Sequence, residues 1–481
     1  MAKRNSTCSF SEIVLAWALV CMAIAAEAVG AGGQGAQNDW PQFGWDVGGS
    51  SAPPTATGIN AQNVASLTRR QVMLDGTVDA SAIYLQGVTA KGAKHDVFFV
   101  TTTYGKTIAV DASTGSILWE YTPANYGTWA GTRQITNTTP AADPDRQSVY
   151  SAAPDGTIVK LSVADGHALW ATAITLLAQR EKIASPVRVF RGHVIAVTAG
   201  YVGDRSPYQG HVAVLDAQTG ALQHVWNSLC SDRAGLIEPN SCEDSRSAIW
   251  GRAGAVIDAA TGNIFVATGN GPYDGKTAWG DALIELNPDA TQMIGNFTPS
   301  NNTKLKWLDL DVGSTSPVLL GGDLLAQGGK DGVLQLLSIR AIAGTAPHKG
   351  GELQSVETPN GNRLITAPAV WHRGSEAWLF MADDGGTTAW TLKDGKLVST
   401  WKNRNGGTSP VVAGELLYVY GDEGLRVYDP TRGAQIADLS CGKGHWESPI
   451  VVDGRIALPE GNANEHTSTG VLDIWSAPGK L

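Results

Sequence analysis

Five stretches share one outline: TIAVDASTGSILWEY (107–121), TIVKLSVADGHALWA (157–171), VAVLDAQTGALQHVW (212–226), TAWTLKDGKLVSTW (388–401) and LRVYDPTRGAQIADL (425–439). Each is an apolar run, an Asp-x-x-x-Gly or Asp-Gly type turn, and a second apolar run that often ends near Trp. The Asp bonds its own backbone and the Gly takes the positive φ that the turn requires, so each stretch predicts a β-hairpin. Hairpins recurring at this spacing, each preceded by two further strand-like runs, predict four-stranded sheets in radial repetition. Eight inner strands are expected, starting near Asp79, Asn137, Ala184, Trp250, Gly313, Thr366, Thr408 and Glu447. The last unit lacks one strand, and LTRRQVML (67–74) is available to complete it. The expected fold is therefore all-β, an eight-bladed β-propeller of four-stranded antiparallel blades whose ring an N-terminal strand closes.

Composition agrees with many short strands and turns. Gly numbers 57 and charged residues make up only 17 %, which disfavours long solvated helices. The net charge of −10 and the lack of a basic run after Lys3-Arg4 disfavour a nucleic-acid partner, so none is expected, because phosphate binding needs a basic face. Residues 1–28 read as an export signal: two cations, the apolar run Ile13 to Ala26, then Ala26-Glu27-Ala28 as the cleavage site. That run is too short to span a bilayer, so the expectation is a periplasmic or secreted protein with no membrane span after cleavage. Residues 29–66 form an N-terminal extension and 67–481 the propeller. Of the five cysteines, Cys8 and Cys21 leave with the signal. Cys230 and Cys242, flanking SDRAGLIEPNS, are candidates for a disulfide in an oxidising compartment, with Cys441 left over.

The combination of DASTGSILW-type hairpins, eight units and a secretion signal resembles the pyrroloquinoline quinone (PQQ) repeat family over about residues 40–476. That family includes quinoprotein alcohol dehydrogenases, a polyvinyl-alcohol dehydrogenase group that is nearest in outline, and a non-enzymatic propeller that assists outer-membrane protein assembly. IWGRAGAVIDAATGNIFVATGN (249–270) resembles the dehydrogenase segment with a Trp floor beneath the quinone and an Asn ligand to Ca²⁺. The resemblance thus implies Trp250 and Asn270 in those roles. GGKDGVLQLL (328–337) implies Lys330 as the cation on the quinone oxygens, and LDLDVGSTSPVLL (308–320) implies Asp309 or Asp311 as the catalytic base, with Asp311 also near the metal. The ten-residue loop Gly271 to Gly280 is expected to roof an axial pocket.

The chemistry of PQQ asks for the same residue types. A flat quinone with three carboxylates needs an aromatic face and fixed cations, for which Trp250, Arg252 and Lys330 serve, with Arg133 in GTRQITNTTPA as a further candidate. Ca²⁺ takes oxygen ligands, which the Asn270 amide provides. An Asp near the metal is placed to take the alcohol proton as hydride leaves for the quinone. The implied partners are a small or polymeric alcohol and an external cytochrome c.

The sequence also departs from the family. TAGYVGDRSPYQ (198–209) places Tyr201 where a Glu metal ligand is expected and Tyr208-Gln209 near the expected position of an adjacent Cys pair. Each candidate has an ordinary reading as well: Trp250 as inter-blade packing, Asn270-Gly271 as a turn pair, Lys330 as a solvated hairpin residue, and Asp309 and Asp311 as surface acids on one side of a strand. His445, Trp446 and Glu447 are further channel candidates. The alternatives to an oxidoreductase are a cofactor-free propeller that binds a protein partner, or a glycan-binding module using Tyr126 and Trp129.

Overall fold

In the computed structural model, residue 1, residues 38–422 and residues 424–480 are described. The expected export signal and cleavage site, with Cys8 and Cys21, lie outside them. The described chain folds into eight four-stranded antiparallel sheets. Blade one runs Ile83–Ala90, Ala93–Thr101, Thr107–Asp111 and Ile117–Tyr121, and the next six blades follow it in simple up-and-down order. Blade eight is composite. Its inner three strands, Ile450–Val452, Arg455–Glu460 and Gly470–Ser476, come from the C-terminus. Its outer strand is Thr68–Leu74, in register from Thr68 opposite Ser476 to Leu74 opposite Gly470. Ring closure thus uses seven backbone pairs between opposite ends of the chain, and it pairs an edge that would otherwise be open.

The recurrent Trp has a fixed structural place. Trp119, Trp170 and Trp401 lie on the outer strands of blades one, two and six, and each indole covers the turn Gly of the following blade. A Cβ on Gly166, Gly220 or Gly433 would lie 2.4, 2.5 or 2.5 Å from the facing ring. Each indole N–H donates to the carbonyl three residues before that Gly, Trp119 to Val163 at 2.9 Å, Trp170 to Ala217 at 3.4 Å and Trp401 to Pro430 at 2.7 Å. One Asp-to-Gly turn therefore serves twice, closing its own hairpin and receiving the neighbouring blade. Between blades the apolar strand faces form continuous clusters, such as Ile83, Leu85, Phe99 and Trp119 against Val149, Val159 and Leu161.

Residues 38–60 run around one end of the ring. Trp40 exchanges backbone hydrogen bonds with Tyr84, Pro41 accepts from Ala142, Val47 from Ile257, Ser50 from Val370, Ser51 from Val412, and Thr57 from Gly454. Those partners lie on the inner strands of blades one, two, four, six and seven and in the turn after the inner strand of blade eight, past the strand starts. The segment thus follows the blades in order around the axis at the end opposite Asp79, Trp250 and Glu447, which leaves the other end of the ring for a site. Two features were not expected from the sequence. A short helix occupies Asn302–Leu308, and the Cys230–Cys242 loop includes a 3₁₀ turn at Pro239–Ser241.

Candidate functional site at the ring axis

Blades four and five place four of the sequence candidates around one carboxylate. Asp311 is 5 % exposed, and its two oxygens receive three donors. Oδ1 accepts from the Asn270 backbone N–H at 2.8 Å, and Oδ2 accepts from Trp250 Nε1 at 3.2 Å and from Lys330 Nζ at 2.9 Å. Lys330 also reaches Asp309 at 3.3 Å and lies 5.2 Å from the centroid of the Trp250 ring. Burial pushes the Asp311 carboxyl above its ordinary value, against the opposing pull of Lys330. Burial pulls Lys330 down, but the charges of Asp311 and Asp309 outweigh it and hold the ammonium above its ordinary value.

Local sequence explains this convergence. Gly269, directly before Asn270, has space for no side chain without crowding: a Cβ there would meet Asp311 Cγ and Trp250 Nε1, both at 3.2 Å. Asp309 and Asp311 do not sit on a strand, as their alternation suggested. Asp309 is the left-handed C-cap of the Asn302–Leu308 helix (φ 55°), and Asp311 precedes the 3₁₀ turn Val312–Ser314. They share Lys330 because a turn bends the chain back there. Asp309 stays largely exposed while Asp311 is covered. The Asn270 side-chain amide has no hydrogen-bond partner among the described residues, and its residue is 5 % exposed.

The long loop answers differently from its expected roofing role. Asp274 accepts from the N–H groups of Lys276, Thr277 and Ala278, and Tyr273 pairs with Trp279. Trp279 donates through Nε1 to Ser231 at 3.0 Å, beside the disulfide between Cys230 and Cys242. The loop is a self-capped excursion packed on that insert, and none of its residues lines the axial cavity. Its end delivers Asp281 instead. Asp281 (φ 54°) accepts from Val312 N–H at 3.2 Å through Oδ1, while Oδ2 is buried without a partner. Burial, then the nearby negative charge of Asp311, pushes its carboxyl up to about 8.

A second polar cluster lies on blades one, two, three and eight; it holds the channel candidates His445, Trp446 and Glu447 together with Asp79 and Asn137, which the sequence marked only as strand starts, and Lys182, which it did not mark. Asp79 accepts from Asn137 Nδ2 at 2.8 Å, His445 Nδ1 at 2.9 Å, Trp446 N–H at 3.0 Å and Ala463 N–H at 2.9 Å. Lys182 donates to Asn137 Oδ1 at 2.8 Å, and burial brings its ammonium down to about 8. Glu447 accepts from the His445 and Trp446 N–H groups through Oε2, while Oε1 is buried unpartnered. Burial and the charge of Asp79 push the Glu447 carboxyl far above the carboxylate range. The common signal was position: residues that start inner strands all arrive at one rim.

Arg252 and Trp446 join the two clusters. Arg252, 2 % exposed, donates to the Trp446 carbonyl at 3.0 Å and lies 4.8 Å from its ring centroid. Trp446 meets Trp250 at 5.8 Å between centroids, tilted 38°. A cavity of about 720 Å³ opens beside them, walled by inner loops of blades six, seven and eight with Arg363, Arg404, Asp383 and Tyr420. Arg252, His445 and Trp446 line it, whereas Trp250, Asn270, Lys330 and Asp311 do not. Tyr208 packs with Trp250 and donates to Asp204 at 2.7 Å. Arg133 is not brought to this site. It lines a separate cavity with Arg205 and His466, because the loop before blade two points toward blades three and eight.

The residues suit a planar anionic ligand: an aromatic ring in reach, a fixed ammonium, a buried guanidinium and an unpartnered amide. They suit Ca²⁺ less fully, since Asn270 and Asp311 supply two side-chain oxygens toward the six to eight that the ion takes. The one group of three metal-capable side chains among the described residues is Cys441, Glu460 and Asp473, in blade eight. Arg69 already pairs with both of those carboxylates.

Fold and site together define a class, an eight-bladed propeller whose inner-strand starts gather polar and aromatic groups at one end of the axis. Known proteins of this outline follow. A PQQ repeat model, described as outer membrane protein assembly factor BamB, matches residues 70–235. The chain is 26 % identical over 313 residues to a quinohemoprotein alcohol dehydrogenase of Comamonas testosteroni, covering 59 % of this chain and 41 % of that protein. It is 26 % identical over 269 residues to another from Pseudomonas putida, covering 51 % of this chain and 37 % of that protein. The chain thus spans less than half the length of these curated relatives. Among solved structures, the Comamonas testosteroni enzyme superposes with a TM-score of 0.68 at 16 % identity, over 92 % of this chain and 81 % of that one. A europium-containing methanol dehydrogenase gives 0.67 at 15 % identity, over 92 % and 98 %. BamB from Moraxella catarrhalis gives 0.52 at 14 % identity, over 86 % and 98 %.

Proposed function

We propose that the chain is an exported quinoprotein-type oxidoreductase that oxidises a small or polymeric alcohol, with PQQ as its cofactor and an external cytochrome c as electron acceptor. The observation that carries this reading is the convergence of Trp250, Asn270 and Lys330 on the Asp311 carboxylate from separate turns of blades four and five. Bound PQQ supplies an electrophilic quinone that accepts hydride. Trp250 offers the ring for stacking, Lys330 and Arg252 the cations for quinone oxygens and carboxylates. Ca²⁺ would be held by the Asn270 amide oxygen and Asp311. Asp311 is the carboxylate this reading assigns to take the alcohol proton, and Lys330 sets its basicity. In the arrangement observed, both of its oxygens are engaged and it does not line the cavity, whereas Trp446, packed on its partner Trp250, does. Proton transfer from a substrate in the cavity therefore requires a rearrangement that opens Asp311 to it.

A second reading, a cofactor-free propeller that binds a protein partner, is favoured by that same closure and by the assembly-factor repeat match over 70–235. The two separate in one experiment. Purified protein is titrated with PQQ in the presence and absence of Ca²⁺, following quenching of tryptophan fluorescence, then assayed for dye reduction with a panel of alcohols. Saturable uptake with alcohol-dependent dye reduction supports the oxidoreductase. No uptake with or without Ca²⁺ removes it in favour of the scaffold.

A further inference from the structure

The cavity that takes Arg133 away from the axial site has its own character. It measures about 390 Å³ and is formed by the loop before blade two, by residues 179 and 201–205 of blade three, and by the turn 464–466 of blade eight. Its ionisable lining includes Arg133, Arg205 and His466, and no Asp or Glu belongs to it. That is unusual in a chain with 45 acidic and 35 basic residues. Neither arginine has a hydrogen bond or ion pair with any described residue. The nearby acid Asp204 instead accepts from Tyr208.

The frame around these groups is fixed. Tyr104 Oη donates to the Thr132 carbonyl at 3.0 Å, Gln134 Nε2 to Pro154 at 2.7 Å, and Tyr201 Oη to Ala178 at 2.9 Å. His466 holds a left-handed backbone (φ 57°), and its Nδ1 is buried with no partner. Burial, then the charges of Arg133 and Lys182, hold this imidazole below its ordinary value, a sign of positive potential at the site. Arg133 and Arg205 are exposed and hydrated with no protein partner among the described residues, and beside them the His466 ring keeps one buried nitrogen without a partner. Two guanidinium groups on one acid-free cavity thus offer an oxyanion charge-assisted donors that no described protein group already occupies.

We propose that this cavity binds a small multivalent anion whose phosphoryl or carboxylate oxygens bridge Arg133 and Arg205, with His466 as a third contact. The proposal is independent of the oxidoreductase reading and uses none of its residues.

The test is calorimetric titration of the full chain at low salt with inorganic phosphate and, separately, citrate. Saturable one-to-one binding of either anion is expected, weakened about tenfold for each arginine lost in Arg133→Gln and Arg205→Gln, as for a charge-assisted hydrogen bond. The control Lys94→Gln with Lys402→Gln removes the same charge from exposed outer positions and is expected to bind as the unaltered chain does. Circular dichroism and melting of each variant verify folding. Binding of phosphate alone identifies a phosphoryl ligand, binding of citrate alone a carboxylate one, and either supports the site. No saturable binding of either anion, or equal weakening by the control pair, overturns it.

Discussion

Replacing Lys330 by Met tests whether the Asp311 cluster is held together by charge neutralisation. The ion pair is 2.9 Å long, with side-chain exposures of 17 % and 6 %. Coulomb attraction at that separation is about 6 kcal/mol at an effective dielectric of about 20, of which desolvation of both groups cancels a large part. Removing only the ammonium leaves the desolvation of Asp311 uncompensated, so the expected loss at pH 8 is about 3–5 kcal/mol. The sign of its pH dependence follows from the raised carboxyl of Asp311, which loss of Lys330 raises further. Below the unfolded carboxyl value of about 4 the group is protonated in both states and the loss is small. As pH rises from there, the unfolded chain releases a proton that the folded chain keeps, and the loss grows until the folded value is passed. Urea unfolding of the unaltered chain, Lys330→Met, Asp311→Asn and the double variant, at pH 4 and 8, closes a double-mutant cycle. The double variant is expected to recover at least about 2 kcal/mol relative to the sum of the single changes. A Lys330→Met loss below about 1 kcal/mol at pH 8, or an additive cycle, would refute the neutralisation argument.

Asp281→Asn keeps the acceptor for Val312 N–H and tolerates the left-handed backbone, while removing a carboxyl raised to about 8. The folded state holds this proton longer than the unfolded one, so the unaltered chain loses up to about 1.4 kcal/mol per pH unit between roughly 4 and 8. The variant is thus expected to match it at pH 4 and to melt higher at pH 8; a constant melting difference across that range would contradict this. Trp250→Ala is expected to weaken PQQ uptake about tenfold or more in the fluorescence titration, read from the remaining indoles, with the melting temperature as a folding control. Gly433→Ala sets a Cβ 2.5 Å from the Trp401 ring at φ +67°, and a loss of about 1–3 kcal/mol is expected in urea. Gly395→Asn, at φ +71° with open space around it, should cost under about 1 kcal/mol in the same assay.

The periodic residues are the part of this protein that sequence alone determined. An Asp-x-x-x-Gly or Asp-Gly turn, a Trp on the outer strand and eight repeats state a local conformation and a neighbour contact each time, and such short-range rules sum to a ring without any knowledge of the whole. Even the composite eighth blade was legible, because a missing strand at one end of a ring demands a spare one at the other. The site was legible only as a list of residue types. Trp250, Asn270, Lys330 and Asp311 meet as that list suggested, but Asp311 arrives on a turn after an unforeseen helix, and Arg133 goes to another cavity. Asp281 and the Asp79, Asn137 and Lys182 cluster carried no motif at all. Their meeting depends on loop paths of several residues between rigid sheets, where one changed dihedral moves a side chain across the axis. Only the packing of all eight blades around one centre fixes those paths, so tertiary structure decided which charges are buried together and hence what the site can bind.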